Sequence, residues 1–174
     1  ITSAGRLGIN ETSPDSLLHI KDTAGGGVTG VKIENTADEY TCLELDANRS
    51  GANSALGIIR AKWNGNENAA IYMVSGTDTT NKDDGQIAFQ TRLSGGSITE
   101  RMRIDSTGRL LVGTTAGWGS SVKLHIASSG NTYAVITAGT SSNSVLAFSD
   151  DGSERGSVDY DHNGDHMLFK TAAS

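Results

Sequence analysis

Ser3-Ala4-Gly5-Arg6-Leu7-Gly8-Ile9, close to the start of the chain, returns as Ser106-Thr107-Gly108-Arg109-Leu110-Leu111-Val112. Each stretch is followed by the same tripeptide, Leu18-His19-Ile20 in one case and Leu124-His125-Ile126 in the other. Even Ile1 has a counterpart, Ile104. Gly5 to Gly108 is an offset of 103, and His19 to His125 is an offset of 106. The difference falls in the intervening loop, where Gly117-Trp118-Gly119-Ser120-Ser121 is longer than Pro14-Asp15-Ser16. Self-similarity at a fixed period is the mark of arrays and fibres. A chain that opens inside one copy and stops partway through another is expected to be a length of something longer. The repeat units are placed at 1–105, a full set of strands and hairpins, and 106–174, a second and incomplete set.

Between the two motifs the pattern is that of strands and turns. Val31-Lys32-Ile33-Glu34, Leu43-Glu44-Leu45-Asp46, Ile87-Ala88-Phe89-Gln90 and Met102-Arg103-Ile104-Asp105 show the period of two that marks a half-buried strand. Turn clusters separate them: Asp83-Asp84-Gly85, Ser94-Gly95-Gly96-Ser97, Asp105-Ser106-Thr107-Gly108 and Asp150-Asp151-Gly152. Glycine takes positive φ without steric cost, and Asp or Ser hydrogen-bonds the local backbone, so such clusters reverse the chain. Gln86 to Leu93 and Ile98 to Asp105 flank one of them and form a hairpin. In its second strand Ile98, Glu100, Met102 and Ile104 are expected on one face, with Thr99, Arg101 and Arg103 on the other. Asn64-Gly65 and Asn163-Gly164 are expected to make the primed turns of tight hairpins. Their offset of 99 extends the repeat, as does the match of Leu146-Ala147-Phe148 to Leu43-Glu44-Leu45. No window has helical periodicity, and the fold class is all-β.

Composition bounds what such strands can do alone. The 174 residues are 36% hydrophobic and 5% aromatic, with 22 glycines and one proline, so one chain builds only a thin core. A few aliphatics per repeat, at roughly 25 cal/mol per Å² buried, are worth only several kcal/mol. The face formed by Leu7, Ile9, Leu18 and Ile20 gains most when neighbouring chains contribute the same stripe. The net charge of -6 argues against a nucleic-acid backbone as partner, since that demands clustered Lys and Arg. No apolar run reaches the roughly 18 residues of a membrane span, so no membrane insertion is expected. No signal peptide is visible. Cys42 is the single cysteine, so no intrachain disulfide forms, and its strand-like setting reads as a small buried hydrophobe.

The run Arg101-Met102-Arg103-Ile104-Asp105-Ser106-Thr107-Gly108-Arg109-Leu110-Leu111-Val112-Gly113-Thr114-Thr115 and the run Gly5-Arg6-Leu7-Gly8-Ile9-Asn10-Glu11-Thr12-Ser13-Pro14 share a further property. Each is followed by Leu-His-Ile, and together they resemble the repeats of bacteriophage tail-fibre proteins, above all those of phages of marine bacteria and cyanobacteria. The first copy departs from that signature at Asn10, where Gly is usual. The second departs at Leu111 and Gly117, where Gly and Pro are usual. The resemblance implies an elongated, intertwined homotrimeric fibre shaft with short strands and hairpins. It also implies a structural role in a virion tail appendage that is assembled in the host cytoplasm and supports host attachment. The implied partners are further copies of the chain, other virion tail proteins, and a host surface glycan or protein receptor. A bacterial or algal surface adhesin or filament built on the same repeat is the alternative, and a polysaccharide-degrading tailspike a further one.

Few residues suggest chemistry. Asp159, Asp161, Asn163 and Asp165 alternate as oxygen ligands do at the opening of a calcium loop, with Gly164 at the bend. Position twelve of such a loop falls on Lys170 instead of a glutamate, and a plain hairpin turn accounts for the same residues. His162 and His166 beside Asp161 and Asp165, or His19 and His125 between apolar neighbours, are of the types that hold transition metals. An outward-facing strand histidine is the simpler account. Trp63 and Trp118 suit stacking against a sugar ring, or folding back over a thin core. Gly25 to Gly30 spells a dinucleotide-type glycine pattern, but a strand follows where a helix is required, so no cofactor is expected. Asp83, Asp84, Asp150 and Asp151 sit in turns that explain them, and no nucleophile–base spacing stands out. The chain is not expected to be an enzyme.

Overall fold

The computed structural model describes residues 1–23, 30–150 and 152–171. Most of the Gly25–Gly30 pattern therefore lies outside the described residues, as does Asp151 of the Asp150–Gly152 turn. Among the described residues every regular element is a strand, and the chain is all-β. It divides into two compact units, Ile1–Ala47 and Asn48–Ser174.

The first unit holds a two-stranded clip. β1 (Leu7–Ile9) and β2 (Leu18–Ile20) run parallel, with Leu7 opposite Leu18, Gly8 opposite His19 and Ile9 opposite Ile20. A tight turn leads into β1: Gly5 has φ 71° and its N–H donates to the Thr2 carbonyl at 2.9 Å.

The second unit repeats this clip inside a larger sheet. β3 (Ala55–Trp63), β4 (Asn66–Ser75), β5 (Gly85–Arg92), β6 (Ile98–Ile104), β7 (Leu110–Val112) and β8 (Leu124–Ile126) lie side by side in chain order. The first five are antiparallel in succession, whereas β7 and β8 are parallel, with Leu110 opposite Leu124, Leu111 opposite His125 and Val112 opposite Ile126. That is the register of the first clip, residue for residue. Its entry turn is also the same, with Gly108 at φ 73° donating to Asp105 at 2.9 Å. A separate three-stranded sheet follows, in which β10 (Ser153–Asp161) lies between β9 (Asn143–Asp150) and β11 (His166–Thr171). The sequence boundary between Asp105 and Ser106 falls in the β6–β7 turn, inside one continuous sheet.

Turn chemistry sets several strand ends. Asn64 and Gly65 both take positive φ, 48° and 82°, the primed geometry that suits a two-residue hairpin. The hairpin around Gly95 stands where its sequence placed it, between β5 and β6. The β4–β5 connection is held by two carboxylates. Asp84 accepts from the N–H groups of Thr77 and Asp78, and Asp78 from those of Thr80 and Asn81.

Five sequence expectations need correction. Val31–Glu34 and Leu43–Asp46 form no strand, and neither pairs with a strand among the described residues; residues 30–46 are exposed throughout. Cys42, in that stretch, is exposed and not a buried hydrophobe. The match of Leu146-Ala147-Phe148 to Leu43-Glu44-Leu45 stops at sequence, since only the former lies in a strand. Asn163-Gly164 makes no primed two-residue turn. Asp161 pairs with His166 across four residues, and the left-handed residue is Asp165 at φ 54°. Finally, Ile98, Glu100, Met102 and Ile104 do not share a face. The register slips at Phe89/Gln90, which pair with Met102 and Glu100, so Arg101 is the extra residue of a β-bulge. Glu100 thereby joins Arg103 on the other side, where the two bond at 2.6 Å.

Candidate functional site

The six-stranded sheet has two unlike faces. Read across all six strands, Ile59, Ile71, Phe89, Met102, Val112 and Ile126 stand opposite one another in a single row. Met73, Ile87, Ile104, Leu110 and Leu124 form a second row on the same side. Such cross-strand aliphatic and aromatic pairs are the unit of sheet stabilisation, but here they form an uncovered wall. Ile59, Ile71, Ile87, Ile104 and Leu124 are all exposed. A shallow apolar groove of about 370 Å³ runs over Ile59, Ala61, Ala69, Ile71 and Phe89.

The opposite row reads Ile58, Tyr72, Ala88, Arg103, Leu111 and His125. Here the chain satisfies its own needs. Arg103 donates to both oxygens of Glu100 at 2.6 Å and to Gln86. The Glu100 carboxylate beside it raises the guanidinium pKa further. Tyr72 donates to Glu67 at 3.0 Å; burial, then this carboxylate, push its pKa up. Leu111 is 0% exposed, and Ala70 and Ala88 are also buried. Apart from Pro14, these three are the only buried apolar side chains among the described residues.

The first clip is the same object in small. Leu7, Ile9 and Leu18 are exposed on one side, with Ile20 half-buried beside them. His19 lies on the other side with its Nδ1 3.2 Å from the Asp15 carboxylate. His125 is likewise turned away from the aliphatic rows, its Nδ1 3.0 Å from the Ala116 carbonyl oxygen. Both histidines therefore face their own crossover loops. The three-stranded sheet also has an apolar side, where Leu146, Val158 and Phe169 make one cross-strand row. Phe148 and Met167 extend it, and all but Val158 are exposed.

The other residues singled out by sequence are dispersed. Asp159 is buried and paired with Lys170, whose ammonium lowers its pKa. Asp161 accepts from the Asn163 and Gly164 N–H groups, at 2.8 and 3.3 Å, as a turn-stabilising side chain. Asp165 accepts from the Tyr160 hydroxyl. Among the described residues no three His, Cys, Asp or Glu side chains cluster as a metal centre requires. His162 bonds Ser144 at 2.9 Å and sits edge-on to the Tyr160 ring, and His166 is 3.8 Å from Asp161. Trp63 is 78% exposed, beside Asn64, Asn66, Asn68 and Arg92 in an open cleft of about 460 Å³. Trp118 is 74% exposed and meets His125 edge-on at 6.1 Å. The shared face of Leu7, Ile9, Leu18 and Ile20 follows from local alternation, whereas the rows through β3 to β6 of the six-stranded sheet depend on a pairing register that no sequence window displays.

No protein-family model matches the chain, and none of the curated proteins does. Among solved structures it is similar to the carboxy-terminal domain of the L-shaped tail fibre of bacteriophage T5. Identity is 18% over 83% of each chain, and the TM-score is 0.47.

Proposed function

We propose that the chain is a structural segment of a phage tail fibre or related virion appendage, and that it works as a homotrimer. The carrying observation is the duplicated parallel clip, which in each copy turns an aliphatic stripe to one side, with Leu7, Ile9 and Leu18 exposed in the first and Leu124 and Ile126 in the second. A surface repeated along a chain and left uncovered in each repeat is suited to identical neighbours, which bring the same stripe.

Few apolar side chains are buried among the described residues, chiefly Ala70, Ala88 and Leu111. Packing the aliphatic wall against two other copies would remove it from water and supply the core that these do not.

The role is mechanical: the segment holds a receptor-contacting part of the appendage away from the particle and transmits force. No catalytic step is assigned to it. Antibodies raised against the purified segment are expected to label the tail appendages of virus particles and to lower adsorption to host cells. Labelling of a cell envelope or extracellular filament, with none on particles, would instead support an adhesin and overturn the virion role.

A further inference from the structure

Residues 30–46 present an anomaly within their own chain. Val31-Lys32-Ile33-Glu34 and Leu43-Glu44-Leu45-Asp46 alternate apolar with charged, yet every described residue there is exposed and none is in a strand. Period two separates side chains onto two faces only when the backbone is extended and one face meets apolar surface. The pattern is that of a strand whose partner is elsewhere.

Among the described residues the sheets offer six open edges, β1, β2, β3, β8, β9 and β11. β3 is the longest, at nine residues; β9 has eight, β11 six, and β1, β2 and β8 three each. Charge separates them further. Between Val31 and Asp46 stand Glu34, Asp38, Glu39, Glu44 and Asp46 against Lys32 alone. β3 carries Arg60 and Lys62 and no acid, whereas β9 ends on Asp150 and the lysine of β11 is taken by Asp159. Lys62, Glu44 and Asp46 have no hydrogen bond or ion pair among the described residues, and Arg60 reaches Glu67 only at 3.6 Å.

The two runs also match in phase. Ile59-Arg60-Ala61-Lys62 alternates as Leu43-Glu44-Leu45-Asp46 does, with Ile59 and Ala61 on the aliphatic wall and Arg60 on the polar side. We propose that Leu43–Asp46 of one copy adds as a strand to the outer edge of β3 in a second copy. Leu43 and Leu45 then extend the aliphatic rows beside Ile59 and Ala61, while Glu44 and Asp46 lie beside Arg60 and Lys62. Backbone pairing closes an edge that otherwise invites uncontrolled association, and opposite charges fix which strand is taken. This arrangement rests on the homo-oligomeric reading above but is not required by it.

Cys42, the only cysteine, has the phase of Glu44 and Asp46 and so falls on the same side as Arg60 and Lys62. Arg60→Cys and Lys62→Cys are made separately in the full chain, with Ser94→Cys in an exposed hairpin turn as control. Each is oxidised after assembly and resolved on a non-reducing denaturing gel, and amide exchange is followed in the unmodified protein. At least one of the two β3 variants is expected to give covalent bands of two and three chains that the control lacks. The Leu43–Asp46 amides are expected to exchange at least ~100-fold more slowly than free peptide. Multi-chain particles in which these amides exchange freely overturn the pairing and leave the assembly standing. So does a disulfide that closes within one chain, or no cross-link from either variant. Light scattering that returns a single-chain mass removes the assembly itself.

Discussion

The β1–β2 clip and the β7–β8 clip have one register but different surroundings, and the differences show which residues the design can vary. In the second clip β7 is bonded to β6 on its other side, whereas β1 has no second neighbour among the described residues. Position by position, Gly8 stands where Leu111 is, Asn10 where Gly113 is, and Thr2 where Asp105 is. A Cβ on Gly8 would lie 2.0 Å from the Glu11 carbonyl oxygen, because the short loop closes directly over it. In the second clip, whose loop is longer, the matching Leu111 is completely buried. Loop length and core side chain have changed together.

Left-handed backbone is the invariant. Asn10 has φ 57° and Gly113 has φ 73°. A Cβ on Gly113 would come within 2.2 Å of the Ala127 carbonyl oxygen. Asn10 carries its Cβ in the equivalent place and donates its amide to the corresponding carbonyl, that of Lys21, at 3.1 Å. Asparagine tolerates this conformation better than other side-chain-bearing residues, which is why the departure from glycine leaves the clip intact.

The largest effect expected from breaking this comparison is at its buried centre. Leu111→Ala should lower unfolding free energy by about 2–5 kcal/mol in denaturant titration of the assembled protein. Gly8→Ala, the opposite change at the matching site, should cost about 1–3 kcal/mol through overpacking. If Gly8→Ala proves neutral, the two loops do not differ as described.

Next comes the entry turn. Asp105 accepts from the backbone N–H and guanidinium of Arg109 and from Thr107. Burial opposes its ionisation, but these hydrogen bonds outweigh it and hold the pKa at about 2. Asp105→Ala is expected to cost about 1–3 kcal/mol at neutral pH. The folded value lies below the ordinary 3.8, so this contribution is complete above that pH and fades as pH falls through about 2. The gap between parent and variant should therefore close in acid, and a gap constant to pH 2 would contradict the assignment. Thr2 holds the place of Asp105 in the first clip, so Thr2→Ala should show no such pH dependence.

Smaller effects sharpen the comparison at the left-handed position. Asn10→Ala should cost about 1–2 kcal/mol, from a left-handed alanine and a lost amide bond, whereas Asn10→Gly should stay within about 0.5 kcal/mol. Similar losses for both would show that the amide, not the backbone, sets the requirement. Smallest of all is the Lys21–Glu11 pair at 2.6 Å, whose lysine is exposed. Lys21→Ala should leave the melting temperature within about 2 °C, as typical of surface ion pairs.

How far the sequence foretold this structure varied with how local the determinants were. The clips were visible because their residues recur, and β5–β6 because period two and a glycine turn are both local. The bulge at Arg101 was not, since it is defined by the partner strand and not by its own neighbours. Parallel pairing within each clip was equally hidden: Leu-x-Ile alternation fits either direction. At Val31–Glu34 and Leu43–Asp46 the alternation is real but no strand among the described residues pairs with it. Of the candidate site, four aliphatics were named beforehand, and the rows across six strands required the register.

If other copies of the same chain cover the repeated aliphatic wall, sedimentation equilibrium of the purified chain across a range of concentrations will report it. A mass three times the 18.1 kDa of one chain is predicted, held without dissociation on dilution. A folded, soluble species of one chain mass, with its aliphatic rows open to water, would contradict it.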